Sequence, residues 1–98
     1  MNALTFEWDD RKSRANRTKH GISFEEAQTI FMDENALLIH DPNHSEMEDR
    51  FILLGFSAKL QMLIVCHSYR KSDKIIRIIS ARKALSYERK QYQERCPQ

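Results

Sequence analysis

The chain has 98 residues, 41% of them hydrophobic and 31% charged, with a net charge of +2. That length supports one modest core and a single domain over residues 1–98, and the composition excludes a disordered chain. No apolar run approaches the ~20 residues of a membrane helix, and "MNALTFEWDD" has neither the basic start nor the apolar stretch of a signal peptide. Cys66 in an apolar run and Cys96 in the tail make no disulfide framework and no CxxC motif. These features suit a reducing, cytoplasmic setting with no membrane association.

The small net charge conceals segregation. Residues 1–20 carry five basic and three acidic groups, residues 21–69 two basic and eight acidic, and residues 70–98 nine basic and three acidic. A basic C-terminal third favours a polyanionic partner, although a solvated basic helix would give the same count.

In chain order, Leu4, Phe6 and Trp8 alternate with polar residues and predict a short strand. Asp9 or Asp10 can cap a helix running to about Lys19, with Gly21 as its stop. "SFEE" at Ser23 to Glu26 is a capping box, and Phe24, Ala27, Ile30 and Phe31 form one helical face ending near Asp33. The period then changes to two. Strands are expected at 36–40, 50–56, 61–69 and 74–80, with short gaps that suit consecutive antiparallel hairpins. Ser86 can cap a last helix over about Tyr87 to Arg95. The order strand, two helices, four strands, helix predicts an α+β domain. Its mostly antiparallel sheet carries the two N-terminal helices on one face, and a short helix follows at the C-terminus.

"IIRIISARKA", Ile75 to Ala84, places Arg77 inside the most β-prone segment. Alternation gives a reason. If the helices cover the faces of Ile76 and Ile78 and of Ile64 and Cys66, then Arg77, His67 and Tyr69 face outward. Arg50, Arg70 and Arg82 lie at strand ends, where a bulge or turn can redirect them. Any one such arginine often snorkels or pairs with a carboxylate such as Glu48 or Asp49. The conjunction of Arg70, Arg77 and Arg82 with His67 on adjacent strands instead suggests a face that holds an anion. His40 and His44 could be written as metal ligands, but Pro42 forbids the helix that would align them, so no metal is expected. The two glycines form no phosphate-cradling loop, and no cofactor is implied.

"FEWD" (6–9), "KHGISFEEA" (19–27), "DPNHSEMEDRF" (41–51), "CHSYR" (66–70), "RIISARKA" (77–84) and "ERKQY" (88–92) resemble, in order and spacing, the BrnT family of toxins. The resemblance spans nearly the whole chain. It implies a RelE-like fold, an RNA-cleaving toxin that stops translation, and a BrnA-type antitoxin partner. Operator DNA would be bound only through the complex with that antitoxin.

Metal-free RNA cleavage uses the ribose 2′-OH as nucleophile. It needs a base, an acid for the leaving 5′ oxygen, and cations for the charge on the pentacoordinate transition state. Arg77 and Arg82 are the candidate charge stabilisers and His67 the candidate acid or base. Arg50 and Arg70 are candidate phosphate clamps. Lys19, His20 and His44 are reserves for substrate contact, and Glu48 is a possible base. For His20, ending the first helix is the simpler role. Tyr69 or Trp8 could stack on a base or belong to the core. The competing reading is a module that binds nucleic acid or protein without chemistry, or a toxin that retains only antitoxin binding.

Overall fold

Asp9 ends the first strand and starts the first helix. Its carboxylate accepts from the backbone N–H groups of Arg11 at 2.8 Å and Lys12 at 3.1 Å, satisfying two of the donors a helix start leaves bare. The computed structural model of the protein describes residues 4–41, 49–71 and 74–95. Strand β1 (Thr5–Glu7) leads into helix α1 (Asp10–His20) and helix α2 (Phe24–Gln28), which tightens into a 3-10 turn at Thr29–Met32. Strands β2 (Leu37–Asp41), β3 (Arg50–Phe56), β4 (Met62–Arg70) and β5 (Ile75–Lys83) follow, and helix α3 (Ser86–Arg95) closes the chain. The expected element order is therefore observed. Gly21 ends α1 with φ 73°, and its N–H returns to Arg17 O at 2.8 Å. That left-handed residue is where a side chain would strain the turn.

The capping box at Ser23 works differently from expectation. Ser23 Oγ accepts from Glu26 N–H at 3.0 Å, but the Glu26 carboxylate does not reach back. It crosses to the β3–β4 turn instead and accepts from Ser57 Oγ at 2.6 Å and Gln61 Nε2 at 2.8 Å. Thr29 Oγ1 accepts from Ala58 N–H at 2.8 Å in the same turn. At α3 the other half of the motif operates: Glu88 accepts from Leu85 N–H at 2.8 Å, and Ser86 is the first helical residue rather than the cap.

The sheet order is β1-β5-β4-β3-β2. β2, β3, β4 and β5 pair antiparallel, whereas β1 runs parallel to β5, with Phe6 opposite Ile76 and Glu7 opposite Arg77. The sheet is thus mixed. One face is covered by the N-terminal helical segments, where Ile22, Phe24, Ala27 and Ile30 pack on Leu53, Leu63, Val65, Ile78 and Ala81. The other face is not left wholly open. Tyr92 of α3 packs there on Leu54, Met62 and Ile64, and its hydroxyl donates to Asp33 Oδ2 at 2.7 Å.

β1 spans only the first part of β5, so the outer edge of β5 beyond Arg77 has no strand beside it among the described residues. Asn16 of α1 fills that role. Its Nδ2 donates to Ala81 O at 2.8 Å and to Ile22 O at 2.9 Å, and its Oδ1 accepts from Ala81 N–H at 3.0 Å. One buried side-chain amide therefore satisfies both peptide groups of a strand residue and a loop carbonyl. Asn16→Ala strands these groups in the interior, where each unsatisfied one costs about 1–3 kcal/mol. Urea unfolding should show a loss of at least that size, with Arg17→Ala on the exposed side of the same helix close to neutral.

Candidate active site

Strand register assembles the second sheet face. Asp41 lies opposite Arg50, Arg50 opposite Ser68, Ser68 opposite Arg77, and Arg77 opposite Glu7. Directly opposed residues point to the same side, so one polar row crosses all five strands, with two arginines flanking a serine and a carboxylate at each end. Ser68 is 1% exposed, and its hydroxyl has no hydrogen-bond partner.

Arg77 Nη1 donates to Glu7 Oε2 at 2.9 Å, and Arg70 Nε lies 3.7 Å from the same oxygen. Among the described residues, the carboxylate partner of Arg77 comes from the N-terminal strand rather than from the middle segment. Arg82 is also matched, by a two-pronged bond to Glu88 with both contacts at 2.8 Å. Only 9% of the Glu88 side chain is exposed. The hydrogen bonds from Arg82 hold its carboxyl below the usual range against the opposing effect of burial, and Glu88 in turn raises the Arg82 pKa.

A break in alternation brings Arg82 to this face. Cys66 pairs with Ser80 but His67 with Ile78, so Ile79 is an extra residue in β5. Ile79 and Ser80 line the same cleft. It is a space of ≈ 230 Å³ bounded by Asp41, Arg50, Ile52, Ile64, Cys66 and Arg82 as well. Beyond the bulge, Ala81 turns into the helix-covered core and Arg82 joins Arg77 on the opposite face. Arg50, Arg70, Arg77 and Arg82 therefore share one face.

His67 does not. The expectation that it faces outward is overturned: it is 0% exposed and lies under the helical segments, its ring centroid 4.9 Å from that of Phe31. The register of the β4–β5 hairpin is the cause. It sets His67 opposite Ile78, on the side of Val65 and Leu63 rather than that of Ile64 and Cys66. Its Nδ1 lies 3.2 Å from Val65 O, which can only accept, so Nδ1 carries the proton. Nε2 then accepts from the Tyr69 hydroxyl at 3.2 Å. Burial lowers the His67 pKa to about 4, against the smaller opposing effect of the Val65 carbonyl. It lies in the interior, on the opposite side of the sheet from the four arginines.

Lys19 is exposed and His20 half-buried, both in the last turn of α1. His44 and Glu48 lie outside the described residues. Trp8 packs edge-on against Phe24 and Tyr69 edge-on against Phe51, so the aromatic residues weighed as stacking platforms are engaged in the fold. Glu7 and Ser68 were not anticipated. Their signal was present in "FEWD" and "CHSYR", but their meaning depends on a pairing across almost the whole chain.

This is a small α+β domain whose mixed sheet presents four arginines on the face away from its N-terminal helices. The family model described as "Ribonuclease toxin, BrnT, of type II toxin-antitoxin system" matches residues 8–88. The chain belongs to that family. It is similar in fold to the crystal structure of the Brucella abortus ribonuclease toxin BrnT, with a TM-score of 0.64 and 21% identity, over 86% of this chain and 100% of that one. No curated protein sequence matches the chain. No helix among the described residues is long and apolar enough to cross a membrane.

The His67 pKa has a consequence for stability. The native imidazole resists protonation until about pH 4, whereas the unfolded one titrates near 6.5. Between those values the unfolded state binds the extra proton, so stability falls as pH is lowered. The loss is on the order of 3 kcal/mol across the window. Asp33 also has a lowered pKa: burial pushes it up, but hydrogen bonds from Phe56 N–H, the Tyr92 hydroxyl and Asn35 N–H outweigh this. Asp33 and Glu88 contribute stability that is lost only as pH falls below about 4.5, the ordinary carboxylate range. Denaturant unfolding from pH 6.5 to 5 should therefore show a slope that His67→Gln removes, even though that variant is less stable at pH 7.

Proposed function

We propose that the chain is the toxin of a type II system that cleaves RNA without a metal, through attack of the 2′-OH, and thereby stops translation in the cytoplasm. One observation supports this reading above the rest: four guanidinium groups from β3, β4 and β5 share a sheet face. Guanidinium groups are the side chains best matched to phosphate oxygens. The face is not a bare cationic patch, because Glu7 and Glu88 offset part of its charge. The two pairs differ, however. Arg82 and Glu88 form a closed, two-pronged couple, with the carboxylate buried and the arginine 36% exposed, that ties α3 to the sheet. Arg77 and Arg70 share one oxygen of a carboxylate that is 37% exposed, an arrangement that leaves guanidinium N–H groups over to meet a phosphate.

In this reading Arg77, Arg70 and Arg50 bind the scissile phosphate and stabilise the charge that develops on it, and Arg82 anchors the adjoining wall. Lys19, His20, His44 and Glu48 remain candidates for further contacts to RNA. The fold would be RelE-like, as the sequence resemblance implies. A BrnA-type antitoxin would neutralise the toxin by covering the arginine face, and the complex, not the toxin alone, would bind operator DNA.

The test uses RNA and DNA of one sequence, each incubated with purified protein in EDTA. Cleavage of RNA alone is expected, because DNA lacks the nucleophile. Retention of both strands without cleavage would establish the binding module instead. Arg77→Ala should fold with stability within about 1 kcal/mol of the parent. It should lower the cleavage rate by about 10²–10³-fold, the cost of one lost transition-state stabiliser, and relieve growth arrest at equal expression.

A further inference from the structure

Metal-free transesterification needs a base, and His67 is on the wrong side of the sheet to supply one. We infer that Glu7 is the general base of the cleavage reaction, its carboxylate poised between Arg70 and Arg77 at the end of the cross-strand row. This rests on the reading of the arginine face as the RNA site.

Among the described residues three carboxylates line this face. Glu88 is 7% exposed and committed, with Oε1 and Oε2 both bonded to Arg82 and Oε1 also to Leu85 N–H. Asp41 stands at the far end of the row, opposite Arg50 on the edge strand. Glu7 combines the required properties. It is 37% exposed, so a ligand can reach it. Its contacts to Arg77 and Arg70 both fall on Oε2, which leaves the lone pairs of Oε1 available for a hydroxyl proton. The two arginines that fix Oε2 are the ones placed to receive a phosphate, so base and charge stabilisers are in register before substrate arrives. Pairing with Arg77 holds the carboxylate at the end of the row that runs through Arg77 to Ser68.

The step balances as follows. Glu7 takes the 2′ proton as the 2′ oxygen bonds to phosphorus, and the bond from phosphorus to the 5′ oxygen breaks. A water molecule protonates the departing 5′ oxygen, and its hydroxide recovers the proton held on Glu7. The products are a 2′,3′-cyclic phosphate and a 5′-hydroxyl end. Arg70 and Arg77 balance the charge on the non-bridging oxygens throughout.

The experiment compares wild type, Glu7→Gln and Glu7→Asp for RNA cleavage in EDTA across pH 4 to 9, together with RNA affinity and thermal unfolding. Gln keeps an oxygen that can accept from Arg77 but cannot take the proton. Glu7→Gln should retain folding and bind RNA within about threefold of wild type. Its cleavage should fall by about 10²–10⁴-fold. The acidic limb of the wild-type pH profile should vanish, leaving a rate that rises with hydroxide. Glu7→Asp keeps a carboxylate one methylene further back, so the limb should persist at a reduced rate. Glu7→Gln cleaving within threefold of wild type would overturn the assignment. So would a slower Glu7→Gln with an unaltered acidic limb, which would make Glu7 a positioning residue for the arginines. Should Glu7→Gln unfold, loss of the limb in a folded Glu7→Asp would also overturn it. Wild type that cleaves no RNA would remove the ribonuclease reading itself, a result distinct from all of these.

Discussion

The bulge at Ile79 controls what the second half of β5 presents to each side of the sheet. Strict alternation would have sent Arg82 into the helix-covered layer with Ile76 and Ile78, where a guanidinium could not be solvated. The inserted residue reverses the parity, so Ala81, small enough to lie beneath α1, enters the core instead. The bulge needs support, because an irregular strand at a sheet edge leaves its peptide groups bare. Asn16 supplies it by bonding both peptide groups of Ala81. The mostly polar first helix, whose thin apolar stripe gave it little reason to dock, is held to the strand at the residue where the parity has changed.

The two faces of the sheet divide the work. The helix-covered side gathers Phe6, Phe31, Phe51, Tyr69 and the neutral His67 into a connected set of ring contacts. These groups stabilise by burial and edge-to-face geometry. The other side carries the charge, and its carboxylates hold the arginines apart in defined positions. Four like charges on so small an area would repel one another without them. The Tyr92–Asp33 bond and the Arg82–Glu88 couple fix α3 over one end of this face, so that the polar row remains beside it.

Local features were readable because local chemistry determines them. Asp9 as a cap, Gly21 as a stop, and the change from helical to alternating period at Ala36 all depend on neighbours a few residues away. The arginines could be placed on a common face because alternation and a redirecting bulge suffice for that. The position of His67 could not, since a strand has two sides and only the hairpin register decides which one the helices cover. The role of Glu26 was misjudged for a similar reason: its nearest donor in sequence lost to Ser57 and Gln61, brought in by the fold. Glu7 was the least legible of all. Nothing within "LTFEW" reveals that this segment will pair parallel with a strand some seventy residues later.

That last pairing carries an implication for biosynthesis. Among the described residues, Thr5, Phe6 and Glu7 find their strand neighbours in Ile75, Ile76 and Arg77, so a nascent polypeptide lacks the completed cluster until Arg77 has been added. Strand β1 waits for β5, and closing so long a loop is entropically slow. A product terminated before Arg77 would carry Glu7 without its guanidinium partner, and its first strand would have no neighbour to pair with.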